Sequence, residues 1–113
     1  MSGKEARVLF HKIQREALRL AERCNFSNAE AIKAAKANCR AGSIIVCVEY
    51  RDAVDRVHAL TAFVYGAILY GVSFSTSSAE DITIKDVDGS GKKCVTTATT
   101  HIATIYIDFE EGK

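Results

Sequence analysis

Early in the chain, apolar residues recur at three- and four-residue spacing: Leu9, Ile13, Ala17, Leu20, Ala21 and Cys24. That period belongs to an amphipathic helix and predicts one over residues 5–24. Asn25 suits the left-handed position that ends such a helix. Ser27-Asn28-Ala29-Glu30 has the form of a capping box, in which serine and a glutamate three residues on bond each other's backbone amides. A second, alanine-rich helix is therefore expected over residues 28–40, closed by Gly42. Between Gly42 and Asp52, the run Ile44, Ile45, Val46 and Val48 favours a buried strand, although the same residues could begin a helix reaching Tyr70.

Residues 51–70 read as a third helix, amphipathic only at its start. From His58 onward it is apolar nearly all round, through Phe63, Val64, Tyr65, Ile68 and Leu69. A helix without a polar face is enclosed by its own domain or packed on another subunit. A chain of 113 residues has little material to enclose it, so self-association into a homo-oligomer is expected. The remainder reads as β. Short strands are expected over 71–76 and 81–87, then a turn at Asp88-Gly89-Ser90-Gly91, then a Val-, Thr-, Ile- and Tyr-rich stretch over 92–110. There Ile105, Ile107 and Phe109 alternate with Tyr106 and Asp108. The expected fold is α+β in one domain, 1–113: two N-terminal helices, a largely apolar third helix and a C-terminal antiparallel sheet over residues 72–110.

Composition narrows the class. The chain is 48% hydrophobic and 26% charged, near the globular average, which argues against disorder. It contains no proline. The early residues carry charges in place of an apolar leader, and the longest apolar run, 59–72, is too short to span a bilayer of about 20 residues. A cytoplasmic protein with reduced cysteines and no membrane association is the expectation. The net charge of +1 conceals an asymmetry: residues 1–40 hold nine Lys or Arg against four acids, and the rest hold six against ten. Such a split suggests a basic surface that faces an anion, or halves that attract between subunits.

The candidate chemistry lies on the polar side of the first helix. Arg7, His11, Arg15, Arg19 and Arg23 form one row at four-residue spacing, and Lys33, Lys36 and Arg40 of the expected second helix would extend it. Guanidinium groups make bidentate contacts with phosphate, so Arg7, His11, Arg15, Arg19, Arg23, Lys33 and Lys36 are the candidate ligand-binding residues. Such a row is more often simply a solvated helix face. Residues Leu20 to Ile32 resemble a helix-turn-helix unit in their Leu-Ala-Glu start, the left-handed-capable Asn25 and the serine cap; Asn25 stands for the usual glycine and Ala31 for a branched residue. That resemblance implies DNA reading in a major groove. Asp86-Val87-Asp88-Gly89-Ser90-Gly91 resembles the first half of an EF-hand calcium loop, but Lys93 and Thr97 break its second half, so a hairpin turn is the better reading. The hydroxyl-rich Ser73, Ser75, Thr76, Ser77 and Ser78 read as a solvated loop that could alternatively hold a polar ligand.

His11, His58 and His101 could each assist an acid–base step, but no nucleophile and base stand in a recognised arrangement, and no zinc spacing or phosphate loop occurs. The expected function is non-enzymatic binding, without a cofactor. A basic helical face of a homo-oligomer would hold a phosphate-bearing ligand, either nucleic acid or a small nucleotide. A compact, motif-poor chain of this kind is similar to many phage or mobile-element accessory proteins. The rival expectations are a protein-interaction module (an inhibitor, antitoxin-like or immunity protein) docking through the third helix or a sheet edge, a helix-turn-helix regulator, and a small enzyme whose site is built across subunits.

Overall fold

A computed structural model describes residues 2–76, 82–85 and 99–108. Ser2 opens the first helix with a complete capping box. Its hydroxyl accepts from the Glu5 amide at 3.1 Å, and the Glu5 carboxylate accepts from the Ser2 amide at 2.8 Å. The helix α1 (Gly3–Arg23) buries Ala6, Phe10, Ile13, Ala17 and Ala21. It ends where Asn25 takes a φ of 57°, while the Phe26 amide donates to the Ala21 carbonyl and the Asn25 amide to Glu22. This is the left-handed closure that the asparagine promised.

The second helix departs from expectation. α2 spans only Ala29–Lys33, and Lys36–Arg40 is a strand, β1. The capping box at Ser27 and Glu30 does not form: Asn28 is the N-cap, without a side-chain cap bond, and the Ser27 hydroxyl donates to Asp55 instead. Two forces override the helix-forming alanines. Gln14 of α1 donates its side-chain amide to the carbonyls of Ile32 (3.1 Å) and Lys33 (3.0 Å), closing the short helix from outside. Lys36-Ala37-Asn38-Cys39-Arg40 also alternates polar and apolar, so a strand can turn Ala37 and Cys39 to the core, opposite Val46 and Ile44 of β2 (Ser43–Tyr50). Gly42, at φ 92°, turns the β1–β2 hairpin, where it was expected to stop a helix.

β2 is the strand that its β-branched run favoured. α3 (Ala53–Leu69) follows, capped by the Asp52 carboxylate, which accepts from the Asp55 amide at 2.9 Å. Gly71, at φ 69°, ends it in the same left-handed closure as α1. β3 (Ser73–Thr76), β4 (Ile82–Lys85) and β5 (Thr99–Asp108) complete the chain's described elements.

All pairings are antiparallel, in the order β1-β2-β5-β3, with β4 also beside β5. β3 and β4 share one edge of β5: β3 lies against residues 105–108 and β4 against 99–102. The sheet is therefore not only C-terminal. It recruits residues 36–50, because β5 has two edges to satisfy and β2 pairs with one of them over Ser43–Tyr50.

The helices cover one sheet face. Ile44, Val46 and Val48 of β2 and Ile105 and Ile107 of β5 meet Phe10 and Ile13 of α1, Ile32 of α2, and Ala59, Ala62 and Phe63 of α3. Phe10 and Phe63 stack with centroids 6.5 Å apart and planes 6° from parallel. α3 buries Ala59, Ala62, Phe63, Gly66 and Ala67, and leaves Val54, Val57, Ile68 and Leu69 exposed, with Tyr70 exposed just past its end. No helix among the described residues is long and apolar enough to cross a membrane.

At the α1–α3 crossing, a Cβ on Gly66 would lie 2.7 Å from the Ile13 carbonyl oxygen and 2.8 Å from Ile13 Cγ2. Helix propensity alone makes Gly66→Ala stabilising by about 1 kcal/mol. The crossing reverses the sign: the helices must part, and a net loss of about 1–3 kcal/mol is expected in urea unfolding. A more stable Gly66→Ala variant would show that the helices do not meet this closely.

Candidate functional site

The buried stripe of α1 decides what its other side presents. With Ala6, Phe10, Ile13, Ala17 and Ala21 held against the core, Arg7, His11, Arg15, Arg19 and Arg23 all stand exposed. Each four-residue step advances about 6 Å and turns about 40°, so the row covers roughly 24 Å while winding over the solvent side. Among the described residues, Arg19 alone in this row has an ion pair, to Glu16 at 3.4 Å. The His11 ring lies 5.3 Å from that of Phe10, tilted by 51°.

The remaining candidates do not simply extend this row. Lys33 is exposed at the end of α2, which packs on α1. Lys36 was expected on the same helix, three residues on. In β1 it shares a face with Asn38 and Arg40, opposite to Ala37 and Cys39, and so lies on the sheet face turned away from the helices. The second element of the helix-turn-helix resemblance is five residues long, little more than one turn.

A second constellation, not anticipated from the sequence, forms where the start of α2, the end of β2 and the start of α3 converge. Its centre is Asp55, 2% exposed. One carboxylate oxygen accepts from Arg51 Nε at 2.8 Å and the other from the Ser27 hydroxyl at 3.2 Å. The Asp55 carbonyl accepts from Asn28 Nδ2 at 2.9 Å. The hydrogen bond from the Arg51 guanidinium is the main reason the Asp55 carboxyl sits below its ordinary value; burial opposes it and the Ser27 bond assists it.

Beside this knot lies a cavity of about 570 Å³. Asn28, Tyr50 and His101 line it, and the charged Glu30, Glu49 and Arg51 border it. Tyr50 and His101 are directly paired across β2 and β5, with rings 5.5 Å apart and 30° from parallel. Asn28 Oδ1, the Tyr50 hydroxyl and His101 Nδ1 are enclosed and have no hydrogen-bond partner among the described residues. The i,i+4 pair Arg51–Asp55 was the one sequence signal for this region. The convergence of Asn28 and His101 had none, because they lie far apart in the chain.

The three histidines are not brought together. His11 is on the outer side of α1, His101 is in β5, and His58 of α3 stacks on Phe26 with centroids 3.9 Å apart. Cys24 is exposed, and Cys39 and Cys47 are half-buried free thiols. Ser73, Ser75 and Thr76 are exposed in β3. Ser77, Ser78, the calcium-loop resemblance over 86–91 with its turn, and Cys94 lie outside the described residues. Comparison with protein-family models, curated proteins and solved structures finds no match to this chain.

Because the folded-state value of Asp55 is depressed, its contribution to stability is present above the ordinary carboxylate value of about 3.9 and lost as pH falls through the folded value. Asp55→Asn should therefore be clearly less stable than the native chain at neutral pH. The gap should close as the native carboxylate protonates in acid, read from urea midpoints across pH. A gap independent of pH would mean that the charge of Asp55 contributes nothing.

Proposed function

We propose that this is a non-enzymatic binding protein that holds a phosphate-bearing ligand on the outer side of α1. The single observation behind the reading is the exposed row Arg7, His11, Arg15, Arg19 and Arg23 on a helix whose other side is locked into the core. A rigid helix presents these groups without the entropy cost of ordering a loop. Their length favours an extended polyanion over a lone nucleotide, since roughly 24 Å of charge exceeds what one small phosphate ligand can engage. A nucleic-acid backbone is the ligand class that matches. Lys33 adds to this surface from α2. Lys36, on the far sheet face, would act separately.

A second reading, docking on a protein or on another copy of this chain, has its own supporting observation. Val8, Ile68, Leu69 and Tyr70 are exposed, and Val8, Leu9 and Tyr70 line an almost wholly apolar hollow of about 310 Å³. Salt separates the two readings. If four arginines neutralise phosphates, log K against log salt should have a slope of about −3 to −4, whereas apolar docking is nearly salt-independent. Fluorescence anisotropy with labelled single- and double-stranded oligonucleotides measures this. Arg15→Gln and Arg23→Gln, both at solvent, should each weaken binding and together flatten the slope by about 1 to 2. No binding at low salt, or a slope unmoved by both substitutions, would refute the polyanion reading.

A further inference from the structure

Beside α3, the first turns of α1 present a face that the core does not use. Glu5, Val8, Leu9 and Lys12 lie on it at spacings of three and four, and with Tyr70 they line the hollow of about 310 Å³. Leu9 is half-buried against the core, but Val8 is 52% exposed and Tyr70 39%. A single exposed valine needs no explanation. An aliphatic pair and an aromatic ring around one hollow, on a helix whose outer side is otherwise charged, point to a partner.

The charges beside the hollow are ordered. Glu5 lies one turn before the apolar pair and Lys12 one turn after it, about 10 Å apart along the axis. Among the described residues Lys12 has no ion pair. Glu5 accepts from the Ser2 amide at 2.8 Å through one carboxylate oxygen, which leaves the other open. This pattern is complementary to itself when reversed. Let a second copy lay the same face of its α1 on this one, antiparallel, about a two-fold axis between Val8 and Leu9. Val8 then falls opposite the partner's Leu9 and Glu5 opposite the partner's Lys12, and each contact occurs twice. A parallel copy would set Glu5 on Glu5 and Lys12 on Lys12.

We propose that the chain pairs with a second copy of itself through this face of α1, antiparallel, with Tyr70 of each copy beside the seam. The inference rests on the docking reading given above and assigns that surface its occupant. The seam is short, about ten residues a side, so the pairing is weak, with a dissociation constant of about 10 µM. Val8 and Leu9 supply the affinity, and the exposed charge pairs fix the orientation.

The test is sedimentation equilibrium of the full chain without nucleic acid, from about 1 to about 200 µM. Reducing conditions keep the exposed Cys24 from cross-linking the chains. The native chain should pass from monomer to dimer across this range. Val8→Glu, at a solvent position, should keep the native urea midpoint and weaken pairing at least thirtyfold. Lys12→Glu and Glu5→Lys should each weaken self-pairing about tenfold, because each sets like charges opposite one another. A one-to-one mixture of these two variants restores both opposite-charge pairs and should regain nearly native affinity. Loss of the Glu5 cap can only lower association, so it cannot produce this rescue. The proposal is overturned by a monomer across the whole range, by an assembly larger than two, by a Val8→Glu chain that pairs as the native one does, or by a mixture that associates no better than its components. A monomer would leave the docking reading with a different protein as occupant. The polyanion reading, measured by its own salt slope, stands or falls separately.

Discussion

α1 and α3 cross at a glycine. At Gly66 of α3 the backbones come so close that no Cβ fits against Ile13 of α1, and Phe10 of one helix stacks on Phe63 of the other. The rest of the arrangement follows from this contact. A close helix pair forms one layer, wide enough to cover β2 and β5 and to seat the Phe10–Phe63 stack over them. Larger residues along this seam would lift one helix from the sheet and open the core to water. The same contact fixes the rotation of α1, and so turns the row from Arg7 to Arg23 to solvent.

Where the helix layer ends, packing gives way to polar chemistry. Asp55 is buried but tied through its side chain and backbone to Arg51, Ser27, Asn28 and Asp52, and so joins α2, the end of β2 and α3. A buried carboxylate is tolerable only with such partners. The neighbouring Asn28 Oδ1, Tyr50 hydroxyl and His101 Nδ1 lack them. The molecule thus presents an open cationic helix face and, at the far end of the helix layer, a cavity bordered by Glu30, Glu49 and Arg51.

The elements with a strong period were legible. α1 showed its stripe every three or four residues, Asn25 its left-handed closure, and β2 its β-branched run; α3 was bounded to within two residues. The basic row was equally plain, because residues four apart on one helix need no tertiary information to be neighbours. The stretch from Ser27 to Arg40 misled, and for one reason. Its alanines and its Ser-x-x-Glu pattern are real helix signals, but they are weak ones, each of about 1 kcal/mol or less. Pairing of β1 with β2 and the cap from Gln14 outweigh them. The consequence reaches the candidate site, since Lys36 moves from a helix face to the outer face of the sheet.

By itself, then, the sequence determined what depends on neighbours within about one helical turn or one strand: the period of α1, the extent of α3, the closure at Asn25, and the cationic row. Tertiary structure alone decided what depends on residues distant in the chain. It made 36–40 a strand, it sent the Ser27 hydroxyl to Asp55 in place of its own helix, and it brought Asn28 and His101 to one cavity. The physical reason is the scale of the competing terms. Local preferences contribute tenths of a kcal/mol per residue, whereas joining a ladder or burying a satisfied carboxylate is an all-or-none choice that only the assembled fold offers.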